Sequence, residues 1–107
     1  MRQISESDWK RFHRLQSLAL ERFCQRILAE VSQLVSVSGK SNHEQYLAVF
    51  ELIQRRDKEL AEVFDNPRRS TALLQLALLW VWGLLTAEEF AGFSVETREA
   101  VQEFQKS

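Results

Sequence analysis

The stretch Ala72-Leu73-Leu74-Gln75-Leu76-Ala77-Leu78-Leu79-Trp80-Val81-Trp82-Gly83-Leu84-Leu85 decides how this chain folds. Drawn as a helix, it is apolar on nearly every side. Trp80 and Trp82 are two residues apart, which is about 200° around a helix axis at 100° per residue. They cannot both point into one core. Trp80 shares a face with Leu73, Ala77 and Leu84, while Trp82 points the other way beside Thr71, Gln75 and Leu78. Either this helix is sandwiched inside the fold, or one of its faces is a binding surface.

The rest of the chain also reads as helix. Ser5-Glu6-Ser7-Asp8 offers an N-cap at Ser5 or Ser7 and acid at the positive end of the macrodipole. The first helix then runs toward Gly39, a natural C-terminal stop. Trp9, Phe12, Leu20, Phe23, Ile27, Val31 and Leu34 fall on one of its faces. Ser41-Asn42-His43-Glu44 is a capping box that opens a second helix. Its expected core face carries Tyr46, Val49, Phe50, Ile53, Leu60 and Phe64. Asn66-Pro67 ends that helix and starts a third, with proline at the first helical position and the end near Leu85. Thr86-Ala87-Glu88-Glu89 is a second capping box, Gly92 a stop, and Ser94 the cap of a last helix over 95–105. The expected fold is all-α and a single domain over 1–107. Its simplest form is an antiparallel bundle of three main helices with a short C-terminal helical hairpin.

Composition excludes several classes. The chain has 107 residues, 45% apolar and 27% charged, which suits one globular domain rather than disorder. One cysteine forbids an internal disulfide and fits a reducing compartment. The opening residues from Met1 to Asp8 are polar, unlike the apolar core of a signal peptide. The 14-residue apolar run is shorter than the roughly 20 residues a bilayer span needs. A cytoplasmic protein without a membrane role is therefore expected. Net charge is −1, divided as +3 over 1–40, −1 over 41–69 and −3 over 70–107. That asymmetry suits head-to-tail packing within the fold or between subunits.

Five groups of residues were candidates for function. Asp57 projects onto the same face as Tyr46, Phe50, Ile53, Leu60 and Phe64. A carboxylate among buried aromatics needs a partner or a raised pKa. It is either a tuned acid in a pocket, a structural ion pair, or an acid left wet where the helix bends. Arg68 and Arg69 open the third helix against its macrodipole, beside Asp65. They suit a phosphate or carboxylate grip less well than a local salt-bridge cluster, because no Gly-rich turn accompanies them. His13 and Cys24 lie eleven residues apart, about 16 Å along a straight helix, so they form no dyad. No metal spacing and no catalytic set of nucleophile, base and oxyanion donors is present, so no metal and no cofactor is expected. The segment 85–98 superficially resembles a helix-turn-helix, but Glu96, Glu99 and Glu103 would face phosphates, which argues against nucleic acid. Arg11, Leu15, Leu18, Arg22 and Arg26 form a secondary stripe on the first helix. It reads as a solvated face, or as a dock for an acidic and apolar element such as the Glu-rich tail.

Phe12-His13-Arg14-Leu15, Ala19-Leu20-Glu21-Arg22-Phe23-Cys24, the stretch 46–76 and Gly83-Leu84-Leu85-Thr86-Ala87-Glu88-Glu89-Phe90 resemble a family of small bacterial proteins of unassigned function. The resemblance covers nearly the whole chain and implies a compact helical protein with no stated mechanism.

The leading expectation is a non-enzymatic helical interaction module that forms a homodimer. Its interface would centre on Trp82 with Leu78, Gln75, Leu15 and Leu18, since aromatics ringed by leucine suit a hot spot. The alternative is a ligand or enzymatic pocket between the second and third helices, built from Asp57, Tyr46, Arg68 and Arg69. A third possibility is that the last helix folds back over Trp82.

Overall fold

Ser5 starts the first helix. Its backbone is extended (φ −69°, ψ 161°) and its Oγ accepts the Asp8 N–H at 3.2 Å. The helix that follows, α1 (Glu6–Val35), is the longest element. Ser41 starts α2 (Asn42–Phe64) with the full reciprocal capping box to Glu44. After Asn66, held in the left-handed region at φ 50°, come a 3-10 turn (Arg69–Thr71) and α3 (Ala72–Val81). Thr86 and Glu89 form the second capping box and open α4 (Ala87–Ala91), and α5 (Val95–Lys106) closes the chain. The computed structural model describes residues 3–106. Met1 and Arg2, the first residues of the polar opening, lie outside the described residues, as does Ser107. The fold is all-α, with no strand among the described residues.

The third helix is shorter than its apolar run. It stops at Val81 instead of continuing to Leu85, and it starts at Ala72 after the 3-10 turn instead of at Pro67. Gly83 is the cause of the early stop. It sits at φ 68°, a region open to glycine and costly for other residues. Its N–H donates to Trp80 O at 3.0 Å, and the Leu84 N–H donates to Leu79 O at 2.9 Å. This paired arrangement is a Schellman end, and Leu79 and Leu84, both fully buried, supply its apolar contact.

The two tryptophans diverge as their spacing requires, each packed against another helix, while Leu74 and Val81 on the outer face of α3 stay exposed. Trp80 stacks on Phe90 of α4, with ring centroids 4.2 Å apart and planes 17° apart. Trp82 meets Phe23 of α1 edge to face at 5.4 Å. Phe23 also packs edge to face on Phe64 of α2, at 5.9 Å. Phe12, Ala19, Val63, Leu76, Leu79 and Val101 complete a core shared by α1, α2, α3 and α5.

The α2 face is a correction. Its buried side carries Leu52 and Val63, with Arg56 and Leu60 half-buried between them. Tyr46, Phe50 and Ile53 point outward. Between Tyr46 and Ile53 only Glu51 is charged, so hydrophobicity alone left the orientation of this helix undetermined. The molecule is elongated, with principal extents of 52 × 25 × 24 Å. One end is the body made by α3, α4, α5 and the helix ends beside them. The other is an arm made only of the distal halves of α1 and α2.

Candidate interaction surface

The body is tied together by polar groups from α1. Asp8 is 3% exposed and reaches across to the start of α5. One carboxylate oxygen accepts the Ser94 hydroxyl at 2.6 Å and the Thr97 hydroxyl at 2.6 Å, and the Ser94 N–H donates to the same carboxylate. Ser94 Oγ in turn accepts the Thr97 N–H. Burial by itself raises the Asp8 pKa, but the hydrogen bonds from Ser94 and Thr97 outweigh it and hold the carboxyl below its ordinary value. A shallow cleft of about 300 Å³ opens beside this cap, lined by Ser5, Leu73, Ser94, Thr97 and Glu99 among others. The Asp8 carboxylate behind it is already filled with donors, so the cluster works as a clasp between the two ends of the chain.

The arginine stripe of α1 meets the chain's own tail. Arg22 makes a two-pronged bond to Glu89 at 2.7 and 3.0 Å and donates to Leu84 O at 2.8 Å. The Arg22 guanidinium holds Glu89 down to about 2, against the cost of its partial burial. Arg26 donates to Trp82 O and Gly83 O, carbonyls that the end of α3 leaves open. Arg11 lies against Gly92, where a Cβ would come within 2.5 Å of its Nη1, and over the Phe93 ring at 5.9 Å. These contacts use the charge asymmetry of the sequence within the chain.

The arm is built differently. Its seam holds Ile27 and Leu52 buried, with Val31, Leu34, Ala48 and Val49 half-buried. The Arg56 guanidinium bridges Glu30 of α1 and Glu59 of its own helix at 2.9 to 3.1 Å. Outside the seam, α2 carries a line of large apolar side chains facing solvent. Tyr46 is 64% exposed, Phe50 48%, Leu47 42% and Ile53 41%. The Tyr46 and Phe50 rings stack at 6.3 Å with planes 14° apart, forming one aromatic ridge. Two helices can bury only one seam between them, so a second apolar line on α2 has no cover within the arm.

The expected interface residues sit elsewhere. Trp82, Leu78 and Leu15 are half-buried and pack against the protomer's core. Gln75 is buried, donating to Asp65 O at 3.0 Å and accepting the Thr71 hydroxyl at 3.2 Å. Only Leu18 of that set is exposed, at 42%. Trp82 is inward because α3 ends one residue before it and the following turn is pulled onto α1 by Arg22 and Arg26. Phe23 of α1 meets its ring edge to face.

The expected polar pocket is not assembled. Asp57 is exposed, in a surface groove lined by Glu51, Gln54, Arg55 and Lys58 of its own helix. Its face is the solvent-facing one, so the carboxylate needs no buried partner. Tyr46 lies 18 residues before the end of α2, about 27 Å along the axis, which separates it from the arginine pair. Arg69 pairs with Glu6 and lies over the Trp9 ring, and Arg68 is exposed. Arg69 thus makes an ion pair with the first turn of α1. His13 is exposed with its ring edge-on to Trp9, and Cys24 is a free, half-buried thiol. Among the described residues no group of three or more His, Cys, Asp and Glu is placed to hold a metal ion, and no helix is long and apolar enough to cross a membrane.

Sequence reasoning missed the Asp8 clasp and the exposed ridge. Asp8 was read only as a macrodipole acid, because its partners lie 86 and 89 residues away. The ridge is visible in the sequence as a periodic line, but periodicity alone does not tell an exposed line from a buried one. Compared with family models, curated proteins and solved structures, the chain shows no significant match to any of them.

Proposed function

We propose that the chain is a non-enzymatic helical interaction module that associates with a second copy of itself through its arm. The observation that carries this reading is the exposed ridge of Tyr46, Leu47, Phe50 and Ile53 on a two-helix projection. Single exposed apolar residues are ordinary on a monomer, but a contiguous aromatic and aliphatic line marks a contact surface. Two helices from each copy meeting along such lines make a four-helix bundle, which buries two seams where the lone arm buries one. The protomer's own antiparallel packing of α1, α2 and α3 serves as the platform that holds the arm out. The free thiol of Cys24 suits a reducing, cytoplasmic setting.

The test is the solution mass by light scattering over a concentration series. A mass near twice 12.5 kDa for the wild type, falling toward the monomer for Phe50→Glu, is the expected result. A strict monomer for the wild type at every concentration up to about 1 mM, where even weak association would show, sinks the reading.

A further inference from the structure

The ridge also carries its own pairing rule. Tyr46, Phe50, Ile53 and Asp57 are spaced by four, three and four residues, the alternating step of the inward positions of a coiled coil. All four are exposed. The line therefore ends in an aromatic hydroxyl at one extreme and a carboxylate at the other, with two apolar layers between.

Resting on the self-association proposed above, we infer that two α2 helices pair antiparallel about a two-fold axis, with Tyr46 facing the second copy's Asp57. In this register Phe50 faces the second copy's Ile53, and the symmetry repeats both layers. The phenol donates its hydrogen bond to the carboxylate, so both polar groups of the line are satisfied. Flanking positions match as well. On the outer flank Leu47 lies beside the second copy's Gln54. On the flank next to the α1 seam Val49 lies beside the second copy's Arg56, whose charge is already taken up by Glu30 and Glu59. No like charges are opposed.

The parallel arrangement fails on the same residues. It sets Asp57 against the second copy's Asp57 inside the contact, two like charges facing each other at one inward position. A polar residue at one inward position is the usual device that fixes register and orientation in helix pairs. Asp57, wet and without an assigned task in the protomer, has that role here.

The test is a charge swap read by sedimentation or light scattering, on full-length protein with its helical circular dichroism checked. Tyr46→Glu places two carboxylates together in each outer layer and should raise the dimer dissociation constant at least about tenfold. Adding Asp57→Lys restores opposite charges across the layer and should bring the constant back to within about threefold of wild type. Tyr46→Lys alone, facing Asp57, should keep the dimer. If the double variant stays as weak as Tyr46→Glu, or if Tyr46→Glu pairs like wild type, the antiparallel register is wrong while self-association stands. If the wild type itself is monomeric, the reading on which this register rests is the one that falls.

Discussion

Asp8 illustrates how one residue can hold two chain ends together. A buried carboxylate is costly unless its lone pairs are filled, and here two hydroxyls and a backbone N–H fill them. Replacing it, as Asp8→Ala, leaves the Ser94 N–H and both hydroxyls without their acceptor at the first turn of α5. The expected loss is about 2–4 kcal/mol at pH 7, combining lost charged hydrogen bonds with a weakened cap. Because the folded carboxyl titrates below its ordinary value of 3.8, its contribution is fully present above that value and is lost as pH falls through the folded pKa. Glu89 behaves alike, with its share present above 4.5 and lost toward about 2. Urea midpoints measured for wild type and Asp8→Ala at pH 7 and then at successively lower pH should therefore converge below about pH 4. A gap that stays constant to pH 2.5 would mean that the Asp8 charge contributes nothing. None of this was legible in the sequence, since a carboxylate at the third residue of a helix has an adequate local explanation at the macrodipole.

At the scale of elements, starts were legible and stops and faces were not. Ser5, the Ser41–Glu44 box and the Thr86–Glu89 box depend on side chains within three residues of one another, and all three are formed. The end of α3 depends on one backbone angle at Gly83, inside a run whose hydrophobicity does not change across it. Gly83→Ala tests that stop directly. A side chain at φ 68° strains the backbone, although the nearest foreign atom, Arg26 Nη2, lies at an ordinary 3.6 Å. The expected destabilisation is about 1–2 kcal/mol, read from denaturant midpoints with an unchanged slope. A neutral or stabilising alanine would show that the turn relaxes without cost. The face of α2 was illegible for a different reason. Its first half is apolar nearly all round, so burial was decided by where α1 lies, through Leu52 and the Arg56 bridge to Glu30. Asp57 followed the helix outward, and the pocket expected around it went with that rotation.

The whole molecule is divided between a well-tied body and a sparsely tied arm. The body has a core drawn from four helices, and Asp8, Arg22 and Arg26 join residues 56 to 89 positions apart. The arm has one apolar seam and the Glu30–Arg56 bridge, with 37, 46, 47, 50 and 53 exposed along it. Local stability follows the density of buried contacts, so the arm opens more easily than the body when the chain is alone. The proposed association through the ridge would change that order, because a partner that binds only the formed arm stabilises it increasingly as its concentration rises. Amide exchange followed at about 1 µM and at several hundred micromolar should therefore gain protection mainly between residues 28 and 57. The protection of α5 should change least, since its anchor on Asp8 is far from the ridge. The thermal midpoint should rise with concentration in the wild type and stay flat in Phe50→Glu. Protection that rises equally in body and arm would point to an interface elsewhere, with Leu74 and Val81 on the outer face of α3 the next apolar pair to consider. Protection confined to the arm would tie the exposed ridge, the oligomer and the marginal two-helix projection to one cause.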